Sequence, residues 1–215
     1  MKTLIVQYLP SGPYSNTLKL LSAFRAALAK RGAAGGDAEG EVEGEVEVLD
    51  LLATPAPAFT QQSLGAYYKR NYQEQPLSPD EAATLEGHDA LIAQLKSADV
   101  VVLAHPMHNF GAPGPVKQWL DAVMFKGETF SYAAPSMAGR KALVLYTSGG
   151  RYDAQVASTQ QGQWDTLTQL MKINFGFMGF DSCEVLSAAL LNPATAEGNL
   201  AAVTAEIEAL VARWY

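Results

Sequence analysis

The sequence predicts an α/β fold, a doubly wound sheet of five parallel strands with helices on both faces. Three observations carry that expectation. Short apolar runs alternate with amphipathic stretches along the whole chain. The first and third runs are apolar at nearly every position rather than every second one, as in strands buried on both faces. Finally, parallel neighbours need a crossover long enough to hold a helix. No repeat and no linker divides the chain, so residues 1–215 read as one domain.

The elements follow in order. "TLIVQY" (3–8) is the first strand. "NTLKLLSAFRAALAKRG" (16–32) places Leu18, Leu21, Phe24, Ala27 and Leu28 at helical spacing, with Gly32 as its stop. The glycine- and acid-rich stretch from Gly32 to Glu45 reads as a mobile surface excursion before a second strand, "EVEVLDL" (45–51). Residues 53–77 form a long irregular segment with room for short helical turns. Its tyrosines Tyr67, Tyr68 and Tyr72 suggest an interface or a lid.

At "SPDEAATLEGHDALIAQLKSAD" (78–99), Ser78, Pro79 and Glu81 compose a capping box with proline at the first helical position, so one helix is expected there. "DVVVLAHP" (99–106) is the third strand, and "PVKQWLDAVMFKG" (115–127) a helix closed by glycine. "RKALVLYTSGG" (140–150) is the fourth strand, ending in a glycine pair. A helix lies within "QWDTLTQLMKINFGFMGF", then a fifth strand, "CEVLSAALL", and a last helix from about Thr195 to Arg213.

Composition narrows the partners. The chain is 48% hydrophobic and 17% charged, with mean hydropathy near zero and a net charge of −7. Binding nucleic acid needs a basic face, which this balance does not supply. A single cysteine, Cys183, excludes an intramolecular disulfide and suits a reducing compartment. It reads as a small buried residue, His88 as a surface residue, and Trp119, Trp164 and Trp214 as packing or interface residues. "MKTLIVQYLPSG" reads as a strand rather than a signal peptide, and no run approaches the roughly 18 apolar residues of a membrane span. A cytoplasmic protein is expected.

Ligands of such sheets bind at the carboxyl ends of the strands, where the strand order reverses. Three loops therefore matter. "LPSGPYSNT" crowds Ser11, Ser15, Asn16 and Thr17 around a helix start, which is either an anion site or an N-cap with surplus serines. It holds neither a dinucleotide fingerprint nor a P-loop. "AHPMHNFGAPGPVKQWLD" (104–121) places His105 three residues from His108. Pro106 between them and the lack of nearby carboxylate or thiolate disfavour a metal. The proline-stiffened backbone instead suits a flat, polar-edged ring. "YTSGGRYD" ends in two glycines that let backbone approach a ligand, unless it is only a strand-to-helix turn. Ser15 and Ser148 sit in no nucleophile elbow.

The motifs resemble one family. "PMHNF" is similar to the P-M-Y-N-F segment of the FMN-dependent NADH:quinone oxidoreductases known as azoreductases, within the flavodoxin-like fold. "YSNT" resembles their Y-S-x-S phosphate loop, "TSGG" their S-R-G-G, and "FGFMGF" their L-G-F-[IM]-G segment. "PVKQWLDAVMFKGETFSY" resembles their L-K-x-[WY]-[IFL]-D…G-x-T-F-x-Y stretch. The likeness runs in order from the first strand to about residue 190.

The resemblance implies non-covalent FMN, NADH or NADPH as electron donor, and a quinone or azo compound reduced by two electrons in a ping-pong cycle. It also implies a homodimer with sites at the subunit interface. By position, Ser15, Asn16 and Thr17, with Ser11 beside them, should hold the phosphate. Pro106, Met107, His108, Asn109 and Phe110 should line the flavin ring, and Thr147, Ser148, Gly149 and Gly150 its pyrimidine edge. Tyr132 and Phe177 should be substrate-pocket aromatics. No classical catalytic residue and no metal ligand is expected, because the cofactor carries the chemistry. Three positions depart from the pattern: His108 for tyrosine, Ser148 for arginine, and Leu9 for serine. The alternatives are a flavodoxin-like electron carrier and an NADPH-preferring quinone reductase of a related family.

Overall fold

The structure, a computed structural model, describes residues 1–34, 45–152 and 164–215. Five strands form one parallel sheet in the order β2-β1-β3-β4-β5: β1 Thr3–Gln7, β2 Val46–Asp50, β3 Val100–Pro106, β4 Lys141–Ser148 and β5 Ser182–Ala189. The order reverses between β1 and β3, so the crevice expected for a ligand opens there, at the carboxyl edge.

Strand side chains alternate between two cores. Leu4, Val6, Val101, Leu103, Val144 and Tyr146 face one side; they pack on α2 (Gln61–Asn71), α4 (Glu86–Ser97), α5 (Gly114–Val123) and α6 (Thr166–Met178). Ile5, Val100, Val102, Ala104, Leu143 and Leu145 face the other, against α1 (Asn16–Ala34) and α7 (Pro193–Trp214). That is the two-faced burial the continuous apolar runs imply. No helix of the described residues is long and apolar enough to cross a membrane.

Several expectations shift. The first helix continues past Gly32 to Ala34, while the reading of the glycine-rich excursion falls on residues 35–44, outside the described residues. Residues 53–77 hold a full helix, α2, where only short turns were expected. Its start is fixed by a capping box in which Thr60 and Ser63 satisfy each other's backbone. The box at Ser78 is present, with Glu81 Oε2 accepting from Ser78 N at 2.7 Å. It caps only α3 (Pro79–Ala83), because Thr84 and Leu85 tighten the chain and α4 begins again at Glu86. Burial of Leu85 in the core accounts for the break.

The helix expected to run to Gly127 stops at Val123, where Thr129 takes over the backbone. Its hydroxyl donates to Val123 O at 2.5 Å and accepts from Phe125 N at 3.0 Å. His88 is not a surface residue. It is 1% exposed, stacked on Phe59 at 4.8 Å, and its Nδ1 lies 3.3 Å from the Ala122 carbonyl. A lone histidine in a polar helix gives no sequence signal for this; the partner, Phe59, comes from the distant irregular segment.

α6 ends at Gly179, whose φ of +89° lets its amide and that of Phe180 both return to the Phe175 carbonyl. A Cβ at Gly179 would meet Pro135 at 2.6 Å from its Cβ and 2.7 Å from its Cα. Both the left-handed backbone and the backbone contact oppose a side chain. Gly179→Ala should therefore cost at least about 2 kcal/mol in urea unfolding. A loss below about 0.5 kcal/mol would show that Pro135 yields freely.

Candidate functional site

Three segments converge at the carboxyl edge because the strands that carry them are adjacent and in register. Pro106 sits opposite Thr147, and one residue further on Met107 N donates to Thr147 O at 2.8 Å. The Thr147 hydroxyl shares a 2.7 Å hydrogen bond with that of Thr17, in the first turn of α1, and both side chains are buried. Thr147 therefore ties the segment after β3, the end of β4 and the start of α1 into one floor.

Around that floor, a 3-10 turn, Gly12–Tyr14, leads into α1. Ser15 is buried, with its Oγ 3.4 Å from Leu18 N, and the amides of the first helical turn lack intrahelical acceptors. Lys19 adds positive charge one turn along, bonded to Asn16 Oδ1 at 2.8 Å. Ser11 stays exposed on the approach to the turn.

After β3, His108 and Gly111 exchange backbone hydrogen bonds of 3.0 and 2.9 Å around Asn109 and Phe110. These two residues have φ of +47° and +65°. Two consecutive left-handed residues make a type I′ turn, which asparagine tolerates and phenylalanine resists. The strain at Phe110 is held by contacts. Thr166 Oγ1 donates to its carbonyl, and Tyr152 and Trp164 meet its ring edge-on at 5.9 and 5.5 Å. Strained backbone fixed in this way belongs where a loop must present itself to a ligand.

After β4, Ser148 Oγ donates to Gly150 O at 2.7 Å and closes the turn. Gly149 differs from the sequence expectation in its reason. A Cβ there would lie 3.2 Å from Leu191 Cδ1, on the β5 side, and Leu191 is exposed enough to turn away.

Beneath the loop, His105 is fully buried, with Nδ1 2.9 Å from the Pro106 carbonyl. A carbonyl only accepts, so the proton is on Nδ1, and Nε2 is left buried without a partner among the described residues. Burial brings this imidazole down to about 4, opposed by the Pro106 bond and assisted by His108. Cys183, partly buried on β5, is pushed up to about 12 by burial, so its thiol stays protonated. Among the described residues no cluster of His, Cys, Asp and Glu could hold a metal ion.

Tyr132 and Phe177 are brought together, with ring centroids 6.2 Å apart and Phe130 beside both. They do not join the other residues. α6 begins at the clamp formed by the His108–Gly111 turn and the contacts that hold Phe110, where Thr166 bonds Phe110, and Phe177 lies eleven residues on, about 16 Å along the helix. Its end is tied to the start of β4, where Asp181 N donates to Arg140 O. Tyr132 and Phe177 thus form an exposed wall at the amino edge, continued by Tyr72, whose phenol is held above its usual range by its bond to Tyr67. Sequence reasoning missed Tyr152 and Thr166 at the clamp and assigned Trp164 only to packing or an interface. No local pattern marks them, although the aspartate cap at Asp165 does mark the helix start that delivers Thr166.

Residues 1–211 match the family model described as "Flavodoxin-like fold". The chain is 31% identical over 212 residues to an FMN-dependent NADH:quinone oxidoreductase of Shewanella denitrificans, covering 95% of this chain and 96% of that one. It is 31% identical over 217 residues to one of Shewanella loihica, covering 98% and 99%. Among solved structures, an FMN-dependent NADH-azoreductase from Bacillus anthracis, in complex with FMN, superimposes with a TM-score of 0.81 at 25% identity, over 99% of each chain.

The Thr17–Thr147 pair should behave as a unit. Thr147→Val leaves a buried hydroxyl without a partner and should cost about 1–3 kcal/mol. The double variant with Thr17→Val should be less destabilised than the sum of the two singles. Strict additivity in urea unfolding would show that the hydroxyls do not interact. His105 sets a pH dependence. Its folded pKa lies below that of the unfolded chain, so the folded state binds fewer protons. Stability should therefore fall as pH drops from 6.5 towards about 4, by about 3 kcal/mol from this group. The fall should be shallower in His105→Leu, and an identical slope would remove His105 from the account.

Proposed function

Since the chain belongs to the flavodoxin-like-fold family of FMN-dependent NADH:quinone oxidoreductases, we propose that it binds FMN without a covalent bond and passes two electrons from NADH or NADPH to a quinone or azo compound. The single observation that carries the reading is the floor at Thr147, which sets a helix start, a strained turn and a glycine turn around one crevice.

The residues present fit the group. Ser15 and Asn16 offer a hydroxyl, an amide and first-turn backbone N–H groups to a phosphate, with Ser11 at the approach and the α1 dipole adding to the attraction; the Thr17 hydroxyl, expected among them, is instead buried against Thr147 and holds the floor. Pro106, Met107, His108, Asn109 and Phe110 compose the wall for a flat ring. Thr147, Ser148, Gly149 and Gly150 supply backbone at its polar edge. FMN, when bound, supplies the ring chemistry that accepts a hydride and returns two electrons. The protein's share is to hold the ring, order the clamp and exclude water. Ser148 in place of arginine leaves that edge less positive than in relatives with the S-R-G-G pattern.

Tyr132 and Phe177 support a homodimer. Within one chain they lie at the edge opposite the crevice, so they can line a substrate pocket only if a second copy brings them there. The exposed aromatic wall, with Tyr68 and Tyr72, is the surface such a copy would cover. A lone cysteine suits the cytoplasm.

The purified protein should be yellow and release FMN on heat denaturation. NADH alone should bleach the bound flavin, whereas an electron carrier would need a separate reductase. Colourless protein indifferent to added FMN would end the reading. Double-reciprocal plots against NADH at several quinone concentrations should be parallel, because donor and acceptor use the site in turn; intersecting lines would indicate a ternary complex. Light scattering should report about twice the 23.0 kDa chain mass, and a clean monomer at micromolar concentration would remove the dimer.

A further inference from the structure

Reduction of a quinone to a hydroquinone consumes a proton as well as a hydride. The hydroxyls and backbone groups assigned to holding a flavin do not explain where that proton comes from. Serine and threonine hydroxyls are too weakly acidic to hold one for transfer near neutrality, whereas an imidazole is suited to it.

The chain has three histidines. Two are sealed: His88 lies under the aromatic core of Phe59 and Phe125, and His105 beneath the Pro106 carbonyl. The third, His108, is exposed. The paired bonds to Gly111 fix its backbone at the base of the strained turn. Its ring stands edge-on to Tyr8, at 6.3 Å and 79°. Tyr8 follows the last residue of β1 and its amide donates to Ala104 O of β3, so the imidazole sits over the point where the strand order reverses. Neither ring nitrogen is hydrogen-bonded to another described residue. This is an available acid–base group at the mouth of the crevice, held by its backbone and by the edge contact with Tyr8.

We propose that His108 is the general acid of the acceptor half-reaction, an inference that rests on the flavin-dependent reading above. As the quinone receives the hydride equivalent, the imidazolium N–H bond breaks and an O–H bond forms on the quinone oxygen. The neutral imidazole then takes a proton from water. The sum is NADH, a proton and quinone giving NAD⁺ and hydroquinone. Ferricyanide, which takes electrons and no proton, has no use for this group.

The test compares FMN-loaded wild type with His108→Ala, each at matched flavin occupancy, using menadione and ferricyanide as acceptors with NADH. FMN affinity is measured separately from flavin fluorescence, so that a lost cofactor is not read as lost chemistry. The ratio of menadione to ferricyanide turnover should fall about tenfold or more in His108→Ala, and added imidazole should restore part of it in the variant and not in wild type. A ratio equal to that of wild type, or a fall that imidazole leaves untouched, overturns the assignment. If wild type itself shows no FMN-dependent oxidation of NADH with either acceptor, the functional reading fails instead.

Discussion

Thr147 is the point on which the site depends. Its carbonyl accepts the Met107 amide and its hydroxyl pairs with that of Thr17, and both threonine side chains are buried. Each bond joins segments distant in sequence, and each is strong in consequence because the alternative is a buried polar group without a partner. The bond to Met107 extends the β3–β4 ladder by one residue beyond the strand, which sets the plane from which the His108–Gly111 turn rises. The bond to Thr17 fixes α1 against the end of β4, across the intervening β3. A sheet of parallel strands delivers all its carboxyl ends to one edge; Thr147 turns that common edge into a rigid one.

Electrostatics follows from how the floor is built. The protein carries a net charge of −7, yet its candidate anion site relies little on side-chain cations. Ion pairs such as Arg70–Asp89 and Lys69–Glu81 belong to α2 and its neighbours. At the start of α1 the attraction comes from helix-end amides and hydroxyls, with Lys19 held against Asn16. Because these groups are fixed dipoles in a partly closed site, the overall acidity of the surface has little purchase on them. Sealing of His105 follows the same logic: the buried imidazole stays neutral, so the loop above it rests on a hydrogen bond to the Pro106 carbonyl rather than on a charge.

What the sequence made legible was local. Continuous apolar runs located the three central strands β1, β3 and β4 to within one or two residues, since burial on both faces leaves little room for polar side chains, and alternation with helices located the edge strands β2 and β5. Ser78 and Glu81 announced their capping box because its partners are three residues apart. The helix that box begins was misjudged because the break at Thr84 and Leu85 comes from core packing. His88 was misplaced for a related reason, as Phe59 and Phe125, which enclose it, arrive from other segments. At the site, the motifs named the residues of three loops. They did not reveal that Phe110 is strained, nor that Tyr152, Trp164 and Thr166 hold it, because those contacts join segments some forty to fifty-six positions apart.

The same limit explains the division of the aromatic residues between the two edges. α6 is one unbroken run of thirteen residues whose first turn pins the clamp and whose last turn carries Phe177. Nothing in a motif distinguishes residues that share a site within a chain from residues that share one across a symmetry axis, since both are kept in the same sequence. Geometry does distinguish them, because a rigid helix cannot bring its two ends to one place. In the proposed dimer each α6 serves two sites, fixing the clamp of its own chain and offering Phe177 to the other. The Gly179 cap then matters beyond helix termination: lacking a side chain, it lets the end of α6 that carries Phe177 lie close against Pro135.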